Sequence, residues 1–471
     1  MRRAYSSTAR SAFAVTIGLV AATTGRAVQA PLPQRWDVTS GDNVRWGVEL
    51  GSYSYGGPVA AGGKVFVGTN NARPRDPGIT EDRGVLMAFR ADDGRFLWQA
   101  THPKLEAALD FPLQGVCSTP AVVGDRLYYV SNRGELHALD TEGFHDGEND
   151  GPETGEPARG PADADVVWRL DLRAELGVVP HYMSASTPAI LGDLLFVLTS
   201  NGIDEAGAVP APAAPSFLAV DRRDGTVRWS DASPGAGLVD GQWSSPTVVS
   251  AGGRDQVLFP GGDGWLYSFA PASGELLWKI DGGGVDAGAG SSARPRNAFV
   301  ATAVIAGGTV YIAAGRDPEQ GSGPGSLWAL DPAVEPGREP LQRVRWRFRG
   351  APDGGSFARS ISTVAVDRGI VYAADIDGYV VALEAGSGLE LWRHDMLAPV
   401  WASPVVAEGR VYISDTDGEV AVLAAGPRLE VLAESTMDAP VHRAPAILEG
   451  VLFLMTAERL YALSSPAPPA K

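Results

Sequence analysis

The feature that most constrains the fold of this chain is a unit of about 40 residues that recurs along its whole length. The consensus of the copies is a short apolar segment, Gly-x-Val-Tyr, a polar turn, a second apolar segment ending near Ala-Leu-Asp, and then x-Gly-x-x-x-Trp. The clearest copy runs from Ser362 to Trp392. Such periodicity indicates an array of similar units rather than two or three unrelated domains. Eight copies are present, and they begin near Gly57, Thr119, Thr187, Ser245, Thr302, Ser362, Ser403 and Ala444.

Each unit is predicted to be a twisted antiparallel sheet of four strands. Apolar and polar residues alternate with period two, and the turn pairs Asp263-Gly264, Asp377-Gly378 and Asp417-Gly418 separate adjacent strands. A single sheet of this kind cannot bury both of its faces, whereas sheets stacked around a central axis cover one another. The sequence therefore predicts an all-β fold, an eight-bladed β-propeller of four-stranded antiparallel blades.

The tryptophan that ends the unit indicates how the ring closes. The seventh unit has Leu432 at this position, and the eighth ends at Ser465 without an aromatic residue. Residues 43–50, which precede the first unit, have the form of the missing last strand, so we expect them to complete blade eight and remove the open sheet edge. We interpret the tryptophans as packing between neighbouring blades: Trp46, Trp98, Trp168, Trp229, Trp278, Trp346 and Trp392.

The combination of Gly-x-Val-Tyr with Ala-Leu-Asp-x-x-x-Gly-x-x-x-Trp resembles the quinoprotein alcohol dehydrogenase-like propeller family with its PQQ-like repeats. That resemblance covers nearly all of the chain after the first thirty residues. It implies either a dehydrogenase holding pyrroloquinoline quinone and calcium on the propeller axis, or a cofactor-free scaffold of the outer-membrane assembly type. The dehydrogenases place a disulfide between adjacent cysteines against the quinone, and this chain has one cysteine, Cys117, and no C-x-x-C-H haem motif. A member without the full dehydrogenase site is therefore expected, with no cofactor.

The first thirty residues predict export from a bacterial cell, to the periplasm or beyond. Arg2, Arg3 and Arg10 precede an apolar run from Ala12 to Ala22, which is typical of a secretory signal peptide and shorter than the roughly 20 residues of a membrane span. We therefore expect a signal peptide over residues 1–30, one propeller over 31–466 and a disordered tail over 467–471. Cleavage would remove four arginines and no acid, moving the net charge from −17 to −21. Such acidity argues against a nucleic-acid partner.

One position in the repeat is chemically varied. It lies three residues before the proline, or its equivalent, that opens each unit, where the innermost strand should start beside the central channel. Packing positions tend to be alike, so we expect a ligand or peptide surface at the channel mouth, although residues that merely plug the axis would show the same variety. The candidate surface comprises Tyr55, Trp243, Trp401 and His442, with Arg359 and Arg443 as nearby cations. The other members of the ring are Cys117, Ala185, Val300 and Ile361.

Other chemical motifs are weak. Asp146, Glu148 and Asp150 followed by Gly151 resemble half of a calcium loop, but Pro157 stands where the closing glutamate belongs, so a solvated loop is expected. The six histidines show no metal-ligand spacing, and no nucleophile motif is present. We expect a buried, unreactive Cys117, a short helix within Asp171–Met183, and long insertions at 70–83, 201–216, 282–297 and 315–325.

Together these patterns favour an exported, monomeric, non-catalytic propeller that binds a protein or another cell-envelope component. Two alternatives stay open at this point. One is a pyrroloquinoline-quinone-dependent alcohol or sugar dehydrogenase, and the other is a carbohydrate-binding propeller in which Trp243 and Trp401 stack on sugar rings.

Overall fold

The computed structural model describes residues 31–53, 55–284, 296–335, 337–351 and 355–466. The predicted signal peptide and tail lie outside the described residues. Within that part of the chain, eight four-stranded antiparallel sheets form a ring, which confirms the predicted eight-bladed propeller. The first strand, β1 (Val44–Glu49), pairs antiparallel with the last strand of the chain, with Trp46 opposite Ala462. The N-terminal closure of blade eight is therefore confirmed.

The first four blades follow one another along the chain, each with its strands in sequence order. Blade 1 contains β2 (Val59–Ala61), β3 (Lys64–Asn70), β4 (Arg83–Arg90) and β5 (Phe96–Pro103). Blade 2 contains β6 (Ala121–Val123), β7 (Arg126–Val130), β8 (Glu135–Asp140) and β9 (Val166–Asp171). Blade 3 contains β10 (Ala189–Leu191), β11 (Leu194–Leu198), β12 (Phe217–Asp221) and β13 (Val227–Asp231). Blade 4 contains β14 (Thr247–Ala251), β15 (Arg254–Pro260), β16 (Trp265–Phe269) and β17 (Leu276–Asp281).

The second half repeats this order and adds one small hairpin after blade 5. Blade 5 contains β18 (Val304–Ala306), β19 (Thr309–Ala314), β20 (Ser326–Leu330) and β21 (Val344–Phe348), and the hairpin is β22 (Gly350–Ala351) with β23 (Gly355–Ser356). Blade 6 contains β24 (Ala365–Asp367), β25 (Ile370–Ala374), β26 (Tyr379–Glu384) and β27 (Glu390–Asp395). Blade 7 contains β28 (Val405–Ala407), β29 (Arg410–Ser414), β30 (Glu419–Ala424) and β31 (Val431–Thr436). Blade 8 contains β32 (Ala446–Leu448), β33 (Val451–Met455), β34 (Arg459–Leu463) and β1.

Helical segments are short. The helix expected within Asp171–Met183 is confirmed as α1 (Leu172–Leu176), capped by the Asp171 carboxylate, which accepts from two backbone N–H groups of its first turn. In the part of the chain that the structure describes, four 3-10 turns accompany it: Gly143–His145, Gly235–Gly237, Pro318–Gln320 and Pro340–Arg343. No helix in the described residues is long and apolar enough to cross a membrane.

The hydrophobic core is divided among the blade boundaries. The buried apolar residues of the described chain form eight clusters, and each cluster joins one blade to the next. The middle strands are covered on both faces, so β25 and β26 are nearly continuous apolar runs, whereas the outer strand β1 alternates between half-buried and exposed residues. Stability therefore comes from stacking the blades rather than from any one sheet.

The terminal tryptophans reach across these boundaries. The indole N–H of Trp168 donates to the Arg222 carbonyl of blade 3 at 3.0 Å, and that of Trp346 donates to the Ala385 carbonyl of blade 6 at 2.9 Å. The face of the Trp168 ring lies on Gly225 of the next blade, where a Cβ would come within 2.8 Å of the ring and φ is +77°. This contact explains why the repeat places a glycine four residues before its tryptophan. The same N–H bond to the following blade is made by Trp46, Trp98, Trp229 and Trp392.

Trp278 is arranged differently. Its N–H donates to the side-chain oxygen of Gln256 in its own blade at 2.7 Å. The neighbouring blade supplies Arg343 instead, whose guanidinium carbon lies 4.5 Å from the centre of the Trp278 ring. A buried cation-π contact therefore takes the place of a backbone hydrogen bond at the boundary between blades 4 and 5.

At the boundary between blades 7 and 8, where the repeat has Leu432, the N-terminal segment supplies the missing aromatic side chain. Trp36 is buried in the cluster that joins these blades, and its indole N–H points to the sulfur of Met437 at 3.1 Å. The Tyr412 hydroxyl donates to the Pro33 carbonyl at 3.0 Å and holds the N-terminal segment in place. Sequence reasoning missed this role because Trp36 precedes the first recognisable strand.

Replacing Trp36 should therefore destabilise the whole ring. We expect Trp36→Ala to lower the free energy of unfolding by about 3–5 kcal/mol, because it removes a large buried aromatic side chain at a boundary that has no docking tryptophan of its own. Chemical denaturation followed by circular dichroism measures this change. The exposed neighbour Arg35 provides the control, and Arg35→Ala should stay within about 0.5 kcal/mol of the wild type. Equal stability of the two variants would contradict the assigned role of Trp36.

Candidate functional site

Antiparallel strands place several parts of every blade on the same side of the ring. The first strand starts there, the second and third strands are connected there, and the fourth strand ends there. We call this side the upper face and the opposite side, which carries the connections between third and fourth strands, the lower face. The insertions 70–83, 201–216 and 315–325 connect second and third strands, so they arise at the upper face. The insertion 282–297 follows a fourth strand and begins at the same face, and its residues 285–295 lie outside the described residues. The acidic segment containing Asp146 arises at the lower face.

A cavity of about 160 Å³ opens on the upper face at the propeller axis. Seven of the eight varied repeat positions line it: Tyr55, Ala185, Trp243, Val300, Ile361, Trp401 and His442. The eighth, Cys117, is buried beside it, and burial raises the pKa of its thiol to about 12. Cys117 is thus a protonated thiol at neutral pH. We call the cavity that the other seven residues line the axial cavity. The structure also adds residues that the repeat pattern does not mark: Phe111, Gln114, Tyr182, Met183, Asp317, Pro318 and Glu319.

One side of the axial cavity is a cluster of aromatic rings. The centroids of Trp401 and His442 lie 5.1 Å apart, and those of Tyr55 and Trp401 lie 6.2 Å apart with the planes 25° from parallel. Tyr53 packs edge-on against Tyr55 at 5.1 Å. These aromatic side chains come from three different connections between blades, so the closure of the propeller determines how close together they lie.

A second aromatic group stands on the other side. Trp243 stacks on His181 with 5.8 Å between centroids, and its indole N–H donates to the His181 carbonyl at 3.3 Å. Tyr182 packs against His181 on one side and against Phe111 on the other. Phe111 is 49% exposed, so this group carries an apolar surface from the cavity to the outside of the molecule.

The two arginines predicted near the cavity have different positions. Arg443 lines it, and its Nε donates to the Tyr55 carbonyl. Arg359 is buried and lies outside the set of lining residues: it donates to the Asn297 side chain at 3.1 Å and to the Gly321 carbonyl at 3.0 Å. Arg359 therefore holds the 315–325 insertion through a hydrogen bond to its backbone.

That insertion brings carboxylates to the rim. Arg316 pairs with the fully buried Asp240 at 3.4 Å, and the Asp317 N–H donates to the same carboxylate at 3.3 Å. These bonds hold Asp317 and Glu319 against the cavity. Burial raises the pKa of Asp317 to about 6, and the nearby Asp240 and Glu319 charges add to that increase. The rim is acidic, as the net charge of the chain would favour.

The calcium-like residues are used in other ways. The Asp150 carboxylate pairs with Arg126 at 2.8 Å, and the Asp146 carboxylate accepts the Glu148 backbone N–H at 2.9 Å. These three acids do not form a cluster of potential metal ligands in the described part of the chain. A different cluster does, and it contains His102, Glu135 and His137.

The fold and the axial cavity define the class of this protein as an eight-bladed β-propeller with an aromatic cavity at its axis. Comparison with known proteins agrees with this class: the family described as outer membrane protein assembly factor BamB matches residues 158–333 and 324–465. The chain belongs to this family. A curated relative, the outer membrane protein assembly factor BamB of Yersinia pestis, is 22% identical over 385 residues, which is 80% of this chain and 77% of the relative.

Solved structures show the same fold. The crystal structure of BamB from Moraxella catarrhalis superposes with a TM-score of 0.59 at 15% identity, covering 89% of this chain and 98% of that one. Sqt1 from Saccharomyces cerevisiae also has a TM-score of 0.59, at 9% identity, covering 90% of this chain and 99% of that one. The ring is thus shared by proteins of very different sequence, and function depends on the groups at its faces.

His442 provides a measurable property of the cavity. It is almost fully buried, and burial, with a smaller contribution from the Arg443 charge, lowers its pKa to about 4. Because the folded state binds this proton less tightly than the unfolded chain, stability is complete above about pH 6.5 and falls as the pH drops towards 4. Between pH 7 and pH 4, we expect the wild type to lose about 3 kcal/mol more unfolding free energy than a His442→Gln variant.

Chemical denaturation at the two pH values tests this expectation. His145 is exposed on the lower face, so His145→Gln should retain the pH dependence of the wild type. If His442→Gln and the wild type lost stability in parallel, His442 would not be the group that titrates.

Proposed function

We propose that this chain is an exported, non-catalytic scaffold of the bacterial cell envelope that binds a partner protein with its upper face. The observation that carries the proposal is the aromatic axial cavity, which opens where the long insertions of several blades arise. The membership of this chain in the BamB family supports a role in outer-membrane protein assembly.

The chemistry of the cavity suits a protein segment. Aromatic rings give large contact areas with little loss of side-chain freedom, and such residues dominate the binding energy of protein interfaces. Trp401 and Trp243 stand on opposite sides, each already fixed by its neighbours, so little ordering is needed on binding. Asp317 and Glu319 at the rim favour a segment that carries a positive charge next to an apolar side chain.

In-cell photocrosslinking tests this proposal directly. A photoreactive phenylalanine derivative at position 111, which lines the axial cavity, should crosslink to an envelope protein. Position 389 provides the matched control, because Leu389 is 63% exposed and lies in a lower-face turn. We expect Trp401→Ala to reduce the crosslink from position 111 at least tenfold, as truncation of a central aromatic contact does in other interfaces. Equal products from positions 111 and 389, or a yield that Trp401→Ala leaves unchanged, would refute the proposal.

A quinone-dependent dehydrogenase fits the cavity less well. A quinone ring placed between two aromatic rings needs about twice the spacing of a single stacked pair, whereas Tyr55, Trp401 and His442 already pack on one another. Pyrroloquinoline quinone is also a tricarboxylate, and Asp317 and Glu319 at the rim would repel it. A sugar ring meets a similar difficulty, because His181 already covers a face of Trp243.

A titration distinguishes these alternatives from the scaffold. We expect purified protein to show no saturable binding of pyrroloquinoline quinone with calcium at high micromolar concentration, measured by calorimetry and absorbance, and no dye reduction with simple alcohols or sugars. Saturable binding with turnover would establish the dehydrogenase instead.

A further inference from the structure

The boundary between blades 1 and 2 contains a group of polar side chains where its core approaches the upper face. His102 lies near the end of β5, on the same side of the strand as Trp98 and Ala100, which pack into this core. Glu135 and His137 lie on β8 and face it from blade 2. Their side chains offer ligand atoms that all lie within 4.8 Å of one another.

These three residues are deeply buried. His137 is 4% exposed, and His102 and Glu135 are each 7% exposed. The His137 Nε2 lies 3.5 Å from a Glu135 oxygen, beyond a good hydrogen bond, and its Nδ1 has no hydrogen-bond partner among the described residues. An imidazole buried with unpartnered nitrogens costs free energy, so the site has unused capacity for a ligand.

The repeat shows that this is not a general feature of the fold. At the strand register of His137, every other blade has an apolar or aromatic residue, including Leu218, Tyr267 and Val381. A histidine is therefore not needed to build a blade at this position. Its presence beside a second histidine and a carboxylate calls for a separate explanation.

We propose that His102, Glu135 and His137 bind a divalent transition-metal ion of the zinc type. Two imidazole nitrogens and one carboxylate oxygen are a ligand set that zinc uses in proteins, with water or substrate at the fourth position. Tetrahedral ligands about 2.0–2.2 Å from zinc lie roughly 3.3 Å apart, so binding draws the three side chains slightly closer together. Because the ligands come from β5 and β8, the ion links blade 1 to blade 2.

The surroundings already orient these ligands. The Tyr129 hydroxyl is 2.7 Å from Nε2 of His102, and the Tyr129 ring stacks on His137 with 5.3 Å between centroids. The second oxygen of Glu135 faces the Nε of Arg133 at 3.4 Å. Such outer contacts hold metal-binding side chains in place and tune their affinity.

Metal titration of the untagged, chelator-treated protein tests the proposal. We expect one equivalent of Zn²⁺ to bind in competition with a chromophoric chelator and to raise the melting temperature. Affinity should fall at least 100-fold in His137→Leu, which carries the residue that blade 3 has at this register, and in Glu135→Gln. The exposed His145 supplies the control, and His145→Gln should bind like the wild type.

Co²⁺ provides a second measurement that needs no variant to fold. The wild-type protein should give the intense visible absorption of a four-coordinate site with nitrogen and oxygen ligands. The weak spectrum of six-coordinate Co²⁺, binding of less than one equivalent of Zn²⁺, or unchanged Zn²⁺ affinity in folded His137→Leu would each overturn the proposal.

Discussion

The indole that crosses each blade boundary is the contact on which the ring depends. A single sheet of this protein has no core of its own, because the buried apolar residues form clusters between blades. Each tryptophan combines a large buried area with one directional bond, so it fixes both the distance and the rotation of the next blade. Two boundaries are held by other contacts. Arg343 stacks on Trp278 at one boundary, and Trp36 fills another from outside the repeat.

Once these contacts fix the ring, the inner ends of the first strands converge around the axis without having to pack against a neighbouring sheet. That freedom explains why one repeat position holds residues as different as Tyr55, Ala185 and Trp243. The antiparallel strand order also brings the insertions of several blades to the same face. Loop surface thus accumulates on the upper face as a consequence of topology.

The repeat made the architecture predictable, because hydrophobic period and turn residues act locally and each copy reinforces the others. It also indicated which residues surround the axis, since register is shared between blades. Non-local contacts could not be predicted in this way. Trp36 lies outside the repeat, and Arg359 was expected near the cavity, yet its partner atoms on Asn297 and Gly321 belong to insertions of irregular structure. His102 and His137 are 35 positions apart, so no spacing rule for metal ligands connects them, although a histidine at a core register was a visible signal.

Burial sets the charge of the ionisable groups at the axial cavity. It raises the pKa values of Tyr55 and Cys117 and lowers that of His442 to about 4, so these three side chains are neutral at pH 7. Burial also raises the pKa of Asp317 at the rim to about 6, which lies below neutral pH, so its carboxylate is mostly charged at pH 7. Neutral aromatic walls with a carboxylate rim are suited to bind a side chain through contact area and charge complementarity, which is the property that the proposed scaffold requires.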